Sequence, residues 1–223
     1  MNQSILSFVL VTAVIAVVSP VFAQEEAGAF YLQGGVMFPH QDGVTGESSQ
    51  TYVAAHGGTT TGWAAGAGVF AAPYLSIEGE LSSTGMMTAR EPSRYFITYN
   101  EERRDRFFSG NVRFHVPPAF PVHLEPLVGL ALIDHQGWST TERIVFFPQQ
   151  HVEIDQRRAH DLPTSVALTT GADLLIGGRH FGVLPSFRWI IRLGSGDLDI
   201  TATYPGGFPR YTVSGGVLAR VSF

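Results

Sequence analysis

Tyr211-Thr-Val-Ser-Gly-Gly-Val-Leu-Ala-Arg-Val-Ser-Phe223 closes the chain, and its two-residue period decides how the rest is read. Counting back in twos from Phe223 gives Val221, Ala219, Val217, Gly215, Val213 and Tyr211, an apolar row with an aromatic at each end. The interleaved row, Ser222, Arg220, Leu218, Gly216, Ser214 and Thr212, is small and mostly polar. Successive side chains on a strand point to opposite faces, so this is one strand with a greasy side and a polar side. Its length and its terminal aromatics suit a membrane-crossing strand.

The same period recurs upstream. Phe30 to Phe38, Trp63 to Ala71, Leu75 to Leu81, Phe108 to Val116, Val122 to Leu132, Val166 to Ile176 and Phe181 to Leu193 each carry an apolar row against a smaller or more polar one. With Tyr211 to Phe223 the count is eight, and the connections alternate long and short throughout. Within the long ones, residues 85–104 and 138–161 keep a period of two and predict tall hairpins. Pro126 interrupts its strand, where a missing donor predicts a bulge or local distortion. An even number of strands joined by alternating long loops and short turns predicts an all-β fold, an eight-stranded antiparallel up-and-down transmembrane β-barrel. Its long hairpins would be extracellular and its short turns periplasmic.

Composition narrows the class. The 223 residues are 44% hydrophobic and 15% charged, enough apolar material for one packed domain. A net charge of −5, with every cation an Arg and none clustered, argues against nucleic acid as a partner. The absence of Cys excludes disulfides and thiolate metal sites. Residues 1–23, an uncharged apolar run ending Val21-Phe22-Ala23, predict a cleaved signal peptide, although no Lys or Arg precedes the run. Residues 24–223 then form the barrel, since no other run could span a membrane as a helix and an open-edged sheet cannot face lipid.

Eight strands leave an interior that side chains can fill. Parity sends Glu78, Glu80, Glu125 and Asp173 inward together with Arg113, Arg188, Arg192 and Arg220, a lumen network of four charges of each sign. Buried charges must be paired, and a guanidinium fork can serve two carboxylates. Outward rows are nearly uncharged. Their aromatics fall into two girdles, with Tyr74, Phe120, Phe181 and Phe223 by the short turns and Phe38, Trp63, Trp138, Trp189 and Tyr211 by the long connections.

On these features the chain resembles the small eight-stranded outer-membrane barrels of the OmpA-like and OmpX-like type across residues 24–223. The resemblance implies the cell outer membrane of a Gram-negative-type bacterium, reached by signal-dependent export. It also implies that Tyr211, Gly215, Val221 and Phe223 act as a C-terminal signal to the barrel-assembly machinery.

The expected protein is a monomer in contact with outer-membrane lipid and lipopolysaccharide. Its role would be structural, or adhesin-like through a surface ligand of the loops, where Tyr95, Tyr99, Phe146, Phe147 and Tyr204 are the candidate contacts. No cofactor or metal is expected. Gly66-Ala-Gly-Val-Phe-Ala71 keeps strand period instead of opening a helix, and Gly194-Ser-Gly-Asp-Leu-Asp199 is one copy of a calcium-type repeat. His151, Glu153 and Asp155 share a face that reads as solvated. Neither is an enzyme expected: Ser109, His115 and Ser186 face inward, and His135 and His160 lie by the loops without a readable Ser–His–acid spacing. A triad is a matter of geometry, which sequence spacing does not settle. The alternatives are a lipid A-modifying outer-membrane enzyme, a small-solute channel, or a soluble calycin-like barrel, which would need the polarity of the two faces reversed.

Overall fold

The computed structural model describes residues 27–41, 57–91, 97–116, 122–145, 151–154, 157–177, 180–193 and 210–223. The expected signal peptide and four of the loop aromatics, Tyr95, Phe146, Phe147 and Tyr204, lie outside the described residues.

Among the described residues twelve strands are present: β1 (Phe30–Gln41), β2 (Gly58–Thr59), β3 (Gly62–Ala72), β4 (Leu75–Ser83), β5 (Met87–Glu91), β6 (Ile97–Phe114), β7 (Val122–Val145), β8 (His151–Ile154), β9 (Arg158–Asp161), β10 (Ser165–Gly177), β11 (Phe181–Arg192) and β12 (Tyr211–Ser222). Eight of them make a closed antiparallel ring in the order β1, β3, β4, β6, β7, β10, β11, β12. The last joins the first through eleven register pairs, from Tyr31 opposite Ser222 to Gln41 opposite Thr212. Closure satisfies the backbone donors and acceptors that an open edge would expose.

The faces follow the sequence period. Along β11, exposed and buried residues alternate without a break from Phe181 to Ile190. Leu32, Phe38, Trp63, Ile77, Phe108, Leu130, Val166, Trp189 and Val217 stand exposed on the outside. Inside, Gly68 shows what the narrow bore requires. It sits opposite Tyr31, and a Cβ there would fall 2.3 Å from the phenol ring, so only a glycine lets that ring lie flat across β3.

Two expectations need correction, and a third is extended. Pro126 causes no bulge, because β6 and β7 keep one register on both sides of it: Arg113 pairs with Leu127, and Val116 N–H donates to Leu124 O at 3.1 Å. The missing N–H removes a single rung. The register shifts instead between Phe70 and Ala72, at the short β3–β4 turn.

Both tall hairpins are present, β5 folding back on β6 and β7 on β8, and their inner arms are the barrel strands continued. β6 begins at Ile97 and β7 runs on to Val145, and they pair with each other from Ile97 opposite Arg143 downward. With β5 on the outer edge of β6 and β8 and β9 along β7, this forms one continuous wall rising from the barrel. The alternation read as loop structure was the upper half of the barrel strands themselves.

Finally, Trp138 belongs to that wall and not to a girdle. It lies six residues above Leu132, about 20 Å along the strand, with the Arg157 and Arg104 guanidinium carbons 4.6 and 6.0 Å from its ring. Arg157 also pairs with Glu102.

Candidate functional site

The lumen holds three layers. Nearest the short turns is an ionic belt. Arg113, fully buried on β6, is its centre: its Nε and Nη2 lie 3.0 and 2.7 Å from Glu78 Oε2 on β4, and its Nη1 lies 3.1 Å from Glu125 Oε2 on β7 and also contacts Asp173 on β10. Arg188 on β11 joins Asp173 Oδ1 at 2.5 Å to Glu80 Oε2 at 2.9 Å. Arg220 on β12 grips Glu125 at 2.7 and 2.6 Å, reaches Gln33 Oε1 at 3.1 Å, and lies 4.3 Å over the Tyr31 ring. Seven of the eight charges assigned inward by parity therefore meet.

Arg192 does not join them. It stands four residues from Arg188, about 13 Å further along β11, where its electrostatic neighbours are Arg103 and Asp105. Parity fixes the face a side chain occupies but not its depth. The fourth group facing the acids is His115, whose Nδ1 lies 3.0 Å from Glu125 Oε1. Its Nε2 lies 2.8 Å from Ser76 Oγ, Ser76 Oγ lies 3.0 Å from the Tyr31 hydroxyl, and Tyr31 donates to Glu78 Oε2 at 2.8 Å. Every contact on this path from Glu125 to Glu78 receives a proton when both ring nitrogens of His115 carry one.

Above the belt lies an apolar layer. Phe107, Ala131, Ile133, Ala167 and Ile190 form it, while Met37, Ala64, Leu184 and Leu218 form a second apolar cluster beside the belt, with Leu184 on the short-turn side of Arg188 along β11. Between belt and layer is a void of about 10 Å³ touching Phe107, Arg188, Ile190 and Ser214, no more room than one water needs.

The third layer, toward the long connections, was not foreseen. Here the outward rows leave their apolar band: Phe108 gives way to Arg106 on β6, Leu132 to Asp134 on β7, and Val166 to Thr164 ahead of β10. At that level, inside, Asp105 and His135 are register partners, with Asp105 Oδ1 2.8 Å from His135 Nδ1. His135 Nε2 lies 3.0 Å from Oγ of Ser165, the first residue of β10. Gln41 Nε2 donates to Asp105 Oδ2 at 2.7 Å and to Thr212 at 2.9 Å, and Arg103 Nη2 donates to Gln41 Oε1 at 2.5 Å. Burial pushes the Asp105 carboxyl up, but Arg103, His135 and Gln41 outweigh it and hold it below the usual carboxylate range. An ionised Asp105 only accepts, so the proton of the shared contact sits on His135 Nδ1 and Nε2 is left to receive the Ser165 hydroxyl.

Of the terminal strand's proposed signal, Tyr211, Gly215, Val221 and Phe223 all face outward and are exposed. Phe223 donates its N–H to Phe30 O at 2.9 Å and stacks on the Phe30 ring at 4.8 Å. Tyr99 is a backbone partner of Glu91 and Thr141 in the wall.

No family model matches the chain, and no curated protein does. Among solved structures it is similar to Ail, the attachment invasion locus protein of Yersinia pestis, at 11% identity and a TM-score of 0.42, over 89% of this chain and 100% of that one. It is similar also to the Neisserial surface protein A at 12% identity and a TM-score of 0.43, over 88% and 99%. A third is the outer membrane protein OprG of Pseudomonas aeruginosa, at 10% identity and a TM-score of 0.45, over 89% and 97%. The fold itself rests on the chain's own closed ring of strand pairs.

Proposed function

We propose that this chain is an outer-membrane β-barrel protein with a plugged lumen, which acts as a structural and surface-interaction element through its long connections. The observation that carries this reading is the pairing of two opposite faces on one closed ring. Exposed Leu, Ile, Val, Phe and Trp cover the outside, and a buried ion-pair belt crosses the inside. A hydrocarbon solvent suits the first, and closure removes the unpaired edges that such a solvent would penalise. The soluble calycin-like reading requires the reverse polarity.

The belt also weighs against a small-solute channel. Arg113, Arg188 and Arg220 reach acids on three other strands, so the charges that would line a pore are turned onto one another across it. Against lipid A chemistry on the membrane-facing wall, the outward rows of the barrel strands hold no His next to a Ser among the described residues. Export by the signal peptide, delivery to the barrel-assembly machinery, contact with lipopolysaccharide and a monomeric state complete the proposal.

Deleting the long connections one at a time tests it, with cell-surface binding as the readout and heat-modifiable gel migration as the check on folding. Loss of binding in a variant that still migrates as a folded barrel is expected for at least one connection. Retained binding across the whole series would overturn the interaction role.

A further inference from the structure

Beyond that reading, the structure assigns Ser165, His135 and Asp105 as a catalytic triad at the long-connection end of the lumen, built to hydrolyse a short-chain carboxylic ester. The three come from adjacent strands. Asp105 on β6 and His135 on β7 face each other directly, and Ser165 on β10 is paired with Ile133, two residues below His135. Carboxylate to imidazole at 2.8 Å and imidazole to hydroxyl at 3.0 Å is the relay that activates a serine. All three side chains are buried, with Ser165 the most exposed at 7%.

The surroundings indicate the substrate. Below Ser165 the inward residues are Ile133, Ala167, Phe107 and Ile190, an apolar floor against which a few methylene groups can lie. Arg192 is the inward register partner of Ala167, two residues along β10 from Ser165. Its electrostatic neighbours are Asp105 and Arg103, so it adds a cation at the level of the relay. A shallow floor and a nearby cation favour a short acyl group on an alcohol over a long lipid chain.

The reaction balances with water as the only co-reactant. Ser165 Oγ attacks the ester carbonyl carbon while its proton passes to His135 Nε2. The carbon–alkoxide bond breaks, and His135 returns that proton to the leaving alcohol. Water then attacks the acyl-serine, gives a proton to His135, and the acyl–Oγ bond breaks, with the proton returned to Ser165. The products are one alcohol and one carboxylic acid. Asp105 acts through His135 as a positioning residue.

The test is covalent labelling of the full chain, refolded in detergent micelles, with a fluorophosphonate probe, and p-nitrophenyl acetate hydrolysis beside it. Labelling at Ser165 that is faster in the folded barrel than in the same protein unfolded is expected. It should be lost in Ser165→Ala and slowed at least ~100-fold in His135→Gln. Asp105→Asn should lower kcat for p-nitrophenyl acetate with KM unchanged, because Asp105 orients His135 without touching the substrate. Equal labelling of folded and unfolded wild-type chain would overturn the assignment without recourse to any variant, and so would undiminished labelling in a folded Ser165→Ala.

Discussion

Arg113 concentrates the energetic risk of the barrel in one side chain. Three carboxylates on three strands converge on it, all buried, and removing one partner of a buried ion pair leaves the others desolvated and uncompensated. Arg113→Met is expected to lower the unfolding free energy by about 3–5 kcal/mol, measured by denaturant titration in micelles, and adding Glu78→Gln should restore part of the loss. A double variant no more stable than the single one would mean that the belt is not electrostatically coupled.

Asp105 gives the pH dependence. Its folded pKa lies below the ordinary value, so it contributes stability above about pH 4 and loses that contribution as pH falls through the folded pKa. The stability gap between wild type and Asp105→Asn should therefore be constant near neutrality and shrink on acidification. A gap that widened in acid would reverse the sign and refute the assignment. Residue type and parity made the belt legible in the sequence except that the fourth group facing the acids is His115 and not Arg192. The Asp105–His135–Ser165 cluster was not legible: thirty residues separate each neighbouring pair, and only the β6–β7–β10 register brings them together.

At the scale of the element, β12 shows how much a period of two can decide. Its apolar row, its polar row and its place as the partner of β1 all follow from the alternation between Tyr211 and Phe223. What alternation cannot give is where a strand stops. Along β6 the outward row turns from Phe108 to Arg106 and Arg104 without losing the period, so a change of solvent looks like the end of a strand. Phe223 adds little to the finished ring beyond its stack on Phe30 and one backbone bond. Deleting it is thus expected to reduce outer-membrane levels severalfold while shifting the refolded barrel's stability by no more than about 1 kcal/mol, the usual net worth of one hydrogen bond. Unchanged levels in the membrane fraction would end the reading of this strand as an assembly signal.

For the whole molecule, the question is whether a closed ring is also a conduit. Eight strands enclose a bore that side chains fill, and here the filling is ionic at one level and apolar at the next, with a void of only about 10 Å³ between them. An ion entering from the short-turn side would have to separate Arg113 and Arg188 from the carboxylates that hold them, then cross the layer of Phe107, Ala131, Ile133, Ala167 and Ile190. Wild-type protein in planar bilayers should accordingly show no large, stable conductance. Arg113→Ala combined with Arg188→Ala removes the two guanidiniums that bridge the bore and leaves Glu78, Glu80, Glu125 and Asp173 with Arg220 and His115. The surplus charge of that variant is negative, so any leak it gains should select cations. A stable wild-type pore would remove the plug from this account, and an anion-selective leak in the variant would mean that the belt's charges are not arranged as the distances imply.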